Sequence, residues 1–266
     1  MILTDAINRD SIHANGLVGW WPLGLYPDAR DSSEFGRRGT LQSSPQQSVA
    51  SHRRGVLFDG STQRISISRG TVFASTSAPF CVSAWVHIYD FSPNIYPIIC
   101  TLKTSSSHAW QLSLSNSMSY LGVVVGSATS WSRIKSNTPA ASLTGVWRLV
   151  EVSYNGQGAT TDSNFSGYVD GAPITFAAAG GFSGISNTTD IGAPSGGGAS
   201  NKFDGLIDDV RVYNRARSPA EAMNAYTQRA AGGYGDLFQQ FDVPMAPLAS
   251  ATTILPQITQ AYMRSP

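Results

Sequence analysis

Glycoside hydrolysis requires two carboxylates facing one another across a cleft, roughly 5–10 Å apart. Only three glutamates are available for such a pair. Glu34 falls in a turn, Glu151 in "LVEVSY" and Glu221 at the head of a helical stretch. Strand alternation sends Glu151 away from Val150 and Val152, which predicts a solvated or concave face for it. The sequence contains no Ser/His/Asp spacing, phosphate loop or HExxH pair. A catalytic role is therefore not expected. Rings are the other chemistry-bearing groups, since an exposed indole or phenol can stack on the apolar face of a sugar. Trp110 and Trp131 sit in "TSSSHAW" and "SATSWSR", beside loop-rich segments. With His108 and Tyr120 they are the glycan-binding candidates. Trp20 and Trp21, adjacent in "GLVGWWPLG", cannot both enter one core, because successive strand residues face opposite sides. Either one ring is exposed for binding or both faces of that strand are covered.

The elements that must position these residues read as β-strands. Short apolar or alternating runs separated by Gly, Ser, Asn and Asp clusters place strands at 16–22, 55–58, 64–68, 80–88, 96–102, 109–114 and 121–125. Further strands follow at 132–135, 146–154, 165–169, 174–175, 190–191 and 203–213. No helical pattern of 10–15 residues falls between them, so the sheets are antiparallel and two in number. Asp170-Gly171 is a hairpin signal, and 193–202 is a Gly/Ser-rich loop. One helix is predicted: Ser218 as N-cap, Pro219 at the first helical position, Glu221 closing a capping box, and Gly232-Gly233 as the stop. Ala222, Met223, Ala225 and Tyr226 form its apolar stripe. Trp85 and Trp147 read as core. Cys81 and Cys100 lie in apolar runs, as buried free thiols or a cross-strand disulfide.

The 266 residues are 41% hydrophobic and 13% charged with a formal charge of +1, which gives no electrostatic case for nucleic acid or an anionic membrane. No apolar run approaches the roughly 18 residues of a membrane span. The opening "MILTDAINRDSIHANG" lacks the basic and apolar regions of a signal peptide, so cytoplasmic synthesis is expected. The last stretch, 232–266, is too apolar for a solvated tail and too rich in proline for a core. It reads as an extended arm laid on another surface, with Tyr234, Leu237, Phe238, Phe241, Ile254, Leu255 and Tyr262 as its contacts. Residues 1–15 form a second arm, around a domain over 16–231.

In order, "LVGWWPLG", "DSSEFGRRGTL", "GVLFDGSTQRISIS", "FCVSAWVHI", "GVWRLVEVSYNG", "GYVDGAPI" and "FDGLIDDVRVYNRARSPAEAM" resemble the laminin G-like, concanavalin A-like lectin/glucanase superfamily over about 16–230. The resemblance implies an all-β jelly-roll sandwich of two antiparallel sheets with one short C-terminal helix. It implies that one ring of the Trp pair enters the core and the other lies under a loop or the closing helix. It also implies a structural calcium site at Asp31, Asp208 and Asp209, with Asp59 as a further ligand. Glu34, standing where the family's acidic signature usually has glycine, is a departure from that pattern. The superfamily's glucanases carry paired carboxylates on one strand, and that pair is missing.

These readings converge on a non-catalytic structural or adhesion protein. The expected setting is a bacteriophage virion surface, as a capsid-decoration or fibre- or tail-associated protein anchored through its terminal arms. Its partners would be other virion subunits or copies of itself and host-surface glycans, with no nucleic acid and no membrane insertion. The opening motif and the helix followed by a "DLF" tail are similar to phage and prophage structural proteins and planctomycete surface proteins. The alternative is a carbohydrate-binding module of a bacterial surface or secreted protein.

Overall fold

Phe80, Val82, Ala84, Val86 and Ile88 recur at every second position, and in a strand that period sends all five side chains to one side. All five are buried in one core cluster. In the computed structural model this run is β7 (Phe80–Ile88), the spine of a sandwich. The structure describes residues 2–67, 78–90, 98–103, 108–115, 120–127, 131–139, 143–157, 162–181, 189–193, 202–230 and 238–241.

The sheet built on β7 contains β2 (Leu17–Trp21), β4 (Gln46–Ala50), β5 (Arg53–Asp59), β12 (Trp147–Tyr154), β13 (Phe165–Val169), β14 (Ala172–Ile174) and β17 (Asp204–Tyr213). Its order is β14-β13-β12-β7-β17-β5-β4, with β2 also paired to β17. The facing sheet holds β3 (Gly39–Gln42), β6 (Arg64–Ile67), β8 (Ile98–Lys103), β9 (His108–Ser115), β10 (Tyr120–Ser127), β11 (Trp131–Pro139), β15 (Phe176–Gly181) and β16 (Thr189–Ile191). Its order is β15-β11-β10-β9-β8-β16-β6-β3. Trp21, Phe58, Ile65, Trp110, Val152 and Val212 fill the space between the sheets. A third, two-stranded sheet joins the ends of the chain: β1 (Ile2–Ile7) pairs antiparallel with β18 (Phe238–Phe241). Part of the expected C-terminal arm thus lies along the N-terminal one; Tyr234, Leu237, Ile254, Leu255 and Tyr262 fall outside the described residues.

The expected hairpin forms between β13 and β14. Asp170 and Gly171 both take positive φ, 52° and 75°, the requirement of a type I′ turn. The expected strand over 174–175 is instead a crossover, where β14 ends and β15 begins in the other sheet. The helix α1 (Pro219–Ala230) starts where its capping box dictates. Glu221 accepts the Ser218 N–H at 2.9 Å, and the Glu221 N–H donates to Ser218 Oγ at 3.3 Å. Ala222 and Ala225 are buried beneath it, but Met223 is 43% exposed, so the apolar stripe is narrower than its spacing predicts. No helix among the described residues is long and apolar enough to cross a membrane.

Two bulges set the outer face of the β7 sheet, the side away from the sandwich core. Between β2 and β17 the register moves from Gly19↔Val212 to Leu17↔Tyr213. The extra residue in β2 returns Leu17 and Trp20 to the outer side, packed with Cys81 and Tyr213, while Trp21 enters the inter-sheet core. Gly19 makes room for that ring, since a Cβ there would lie 2.6 Å from Trp21 Cη2. Both faces of the "GWW" strand are therefore covered. Cys81 and Cys100 are free thiols in different clusters, on the outer face and between the sheets.

Candidate functional site

The second bulge lies in β17, whose register with β7 passes from Asp208↔Trp85 to Arg211↔Ser83. Asp209 takes a φ of 51° there. Asp208 and Asp209 are both buried, and N–H donors engage their carboxylates. Asp208 Oδ1 accepts the N–H groups of Gly24 at 2.6 Å and Asp209 at 2.7 Å, with Arg53 4.0 Å from Oδ2. Asp209 takes a bidentate pair from Arg211, at 2.9 and 2.8 Å, and the Trp20 indole N–H at 2.8 Å. Asp31 accepts the backbone N–H groups of Trp20, Ser33 and Arg37 at 2.9, 2.8 and 2.7 Å. Asp59 accepts those of Ser61, Thr62 and Gln63; burial opposes its charge, but these bonds hold the carboxyl far below the usual range. Calcium needs six to eight oxygens, whereas these carboxylates are already engaged by N–H donors. Among the described residues no group of three or more His, Cys, Asp or Glu is placed to hold a metal. The carboxylates brace turns and do not fit the expected calcium site.

The glycan-stacking candidates separate. Trp110, expected to be exposed, is 2% exposed. Its ring packs at 4.3 Å from Phe80 and 4.9 Å from Tyr154, centroid to centroid. Strands distant in sequence close over it, which its loop-rich neighbours in the chain do not reveal. His108 is registered opposite Ser127, and Trp131 opposite Gly126, so both lie at one end of the β9–β10–β11 ladder. Tyr120 pairs with Ser115 and Pro139 at the other end, about 20 Å away at ~3.3 Å per residue. The three therefore do not converge on one patch.

Glu151 also departs from expectation. It is fully buried on the outer face under α1, where its Oε2 accepts from Arg217 Nη1 at 2.6 Å. Arg217 further donates to the Glu221 carbonyl at 2.8 Å and lies 3.3 Å from His13 Nδ1. His13 Nε2 is in turn 3.0 Å from Asn224 Oδ1. Burial pushes the Glu151 carboxyl up while Arg217 pulls it back. This residue clamps the helix and the N-terminal segment to the sheet, and its carboxylate meets Arg217 rather than an open cleft.

A binding geometry does occur at the crossover. Thr175 is the single residue between β14 and β15, and beside it opens a groove of about 520 Å³. Its lining carries no charge. Phe165, Gly167, Tyr168, Ile174 and Phe176 form the largely buried floor, and Ser163, Ser166, Pro173, Thr175 and Pro219 the exposed rim. Gly167 is required: a Cβ there would meet the Phe176 ring at 2.5 Å and Ile174 at 2.8 Å. Burial, with Glu151 nearby, pushes the Tyr168 hydroxyl up, so it remains a neutral donor. An apolar floor under a rim of hydroxyls matches a sugar, whose ring carbons are apolar and whose edge is polar.

A two-sheet antiparallel sandwich with one short helix on its outer face is the architecture of lectin-type domains. The chain belongs to the concanavalin A-like lectin/glucanase superfamily, whose family model matches residues 59–223, more than half of its length. No curated protein matches it. Among solved structures it is similar to the binding domain of Paraclostridial Mosquitocidal Protein 1, with 16% identity and a TM-score of 0.59 over 79% of this chain and 52% of that one. It is similar to domain 4 of AbnA, a GH43 extracellular arabinanase from Geobacillus stearothermophilus, solved in complex with arabinotriose. There identity is 18% and the TM-score 0.56, over 78% of this chain and 97% of that domain. The receptor binding domain of botulinum neurotoxin D gives 13% and 0.61, covering 87% of this chain and 58% of that one. The chain thus spans about half the length of the toxin binding domains and nearly all of the arabinanase domain. At these identities the likeness is one of fold.

Proposed function

We propose that this chain is a non-catalytic adhesion domain that binds neutral oligosaccharides in the groove at the β14–β15 crossover. The observation that carries this reading is the groove's uncharged lining, apolar below and hydroxylated at the rim. The arabinanase domain, solved with arabinotriose, shares the fold over 97% of its own length and 78% of this chain, which supports a sugar as ligand. The burial of Glu151 in an ion pair supports the absence of hydrolysis. Within this reading the domain would be displayed on a virion surface through its terminal arms. The pairing of β1 with β18 supports such anchoring, because a lone two-stranded ribbon is marginal in water and gains stability from a further surface.

A neutral-glycan array, followed by calorimetric titration with arabinotriose and the best array ligand, tests the assignment. Ser166→Ala combined with Thr175→Ala removes two exposed rim hydroxyls, the first of which also hydrogen-bonds Tyr168. Two lost hydrogen bonds, each worth about 1 kcal/mol, should weaken binding by about tenfold or more. A wild-type chain that binds no neutral glycan, or a double variant that binds as tightly as wild type, would overturn it.

A further inference from the structure

Trp147, read from the sequence as core, lies on the outer face of the β7 sheet and is half-buried. Its indole N–H donates to the Ala50 carbonyl at 2.8 Å. The ring extends over Gly55, where a Cβ would lie 2.9 Å from Trp147 Cη2. On one side His87 meets it at 5.6 Å between centroids, and His87 in turn meets Tyr89 at 5.3 Å. Toward the helix, Arg53 stands 5.7 Å from the Trp147 centroid and 3.7 Å over Trp85, which stacks on Tyr226 of α1 at 5.9 Å. Tyr89 is 44% exposed. The His87 imidazole is buried, which lowers its pKa, while backbone hydrogen bonds with its own residue and Gly145 raise it.

We propose that Trp147 and Tyr89, with His87 between them, form a second carbohydrate contact, a platform for the apolar face of a neutral pyranose. The indole is held by its N–H bond and by the glycine beneath it, so docking a ring on it costs little additional ordering. His87, next to both rings, fixes their spacing. Arg53 faces Asp208, which balances its charge, so the platform favours a neutral ligand over an acidic one. Its extent also favours a sugar. Two neighbouring aromatic side chains suit a single sugar ring, whereas a protein partner needs about 20–30 residues a side. The platform is distinct from the groove: Trp147 opens β12, and the groove residue Ser166 pairs with Ser153 near the far end of that strand. Six residues of strand separate them, about 20 Å. A long glycan spanning both would bind more tightly than either contact alone allows.

This inference rests on the reading of the chain as a glycan binder, and the experiment separates the two. The intact chain is titrated with cellohexaose and mannohexaose, following tryptophan fluorescence and heat. At least one hexasaccharide should bind with a change in fluorescence. Tyr89→Ala and Trp147→Leu should each weaken that binding at least tenfold, while the Ser166→Ala/Thr175→Ala variant retains the fluorescence change. Near-UV circular dichroism reports whether Trp147→Leu still folds; if it does not, Tyr89→Ala decides. Hexasaccharide binding untouched by either substitution overturns the platform and leaves the groove standing. Groove variants that abolish the fluorescence change, or a wild-type chain that binds neither sugar, also overturn it. So does a Tyr89→Ala chain whose sedimentation shows a lost dimer, because the patch would then be a contact between copies. Platform binding that survives the loss of all groove binding would overturn the groove assignment alone.

Discussion

At the scale of single residues, the outer face of the β7 sheet depends on charges that are individually expensive and mutually satisfied. Glu151 and Arg217 are both buried, 2.6 Å apart. Removing one partner leaves the other charged in a dry site, which typically costs about 3–5 kcal/mol. Glu151→Gln should therefore lower the unfolding free energy by an amount of that order. Glu151→Leu with Arg217→Met should recover much of the loss, as urea unfolding of the two variants would show. The opposite case lies on the facing sheet. Thr101 is fully buried and its Oγ1 lacks a hydrogen-bond partner; Gln111, directly opposite, is buried with neither amide atom bonded. An unmet buried polar group costs about 1–3 kcal/mol, and an isosteric apolar replacement removes that penalty. Thr101→Val should raise stability by about 1 kcal/mol in thermal unfolding; a loss would mean that the hydroxyl serves a partner in solution.

At the scale of elements, α1 is held by a capping box reinforced by Arg215, whose Nη1 donates to Glu221 Oε2 at 3.1 Å. Burial opposes the Glu221 charge, but hydrogen bonds from Arg215 and Ser218 outweigh it and bring the carboxyl down to about 2 from the usual 4.5. A carboxyl depressed by folding stabilises the fold fully above its unfolded value and loses that contribution as the proton binds. Helix docking should therefore weaken as pH falls from about 4.5 toward 2, seen in the near-UV signal of the Trp85–Tyr226 stack. Glu221→Gln should flatten that part of the profile and lower the plateau above it. This helix was legible in the sequence because Ser218, Pro219 and Glu221 are local signals, as was the Asp170-Gly171 turn. β7, β12 and β17 were legible because their inward residues alternate. β3 and β4 were not: "GTLQ" and "QQSVA" are edge strands with largely exposed side chains, and no buried face marks them. Glu151 was misjudged for a different reason, since its partner lies 66 residues further along the chain. The groove carries no motif at all. It arises from uncharged residues that meet only because the chain changes sheets at Thr175.

At the scale of the whole molecule, the strands of the two large sheets lie between Leu17 and Tyr213, while β1 and β18 pair only with each other. Among the described residues, the sandwich core thus owes no strand to the stretch after α1. Deleting 232–266 removes β18 and leaves β1 without its partner, but it removes no described residue of the core between the sheets. The truncated chain should melt within about 4 °C of the full one, the shift that about 1 kcal/mol produces in a domain of this size. Assembly should respond differently. A ribbon of two strands exposes unpaired N–H and C=O groups along both edges, and strand addition from a neighbouring copy satisfies them through main-chain bonds. Light scattering should therefore find the full chain in oligomers and the truncated chain as a monomer. If both are monomers, β18 serves only to pair with β1, and display through the terminal arms is wrong. If the truncated chain unfolds, the C-terminal stretch contributes to the sandwich itself and the separation of core from arm fails.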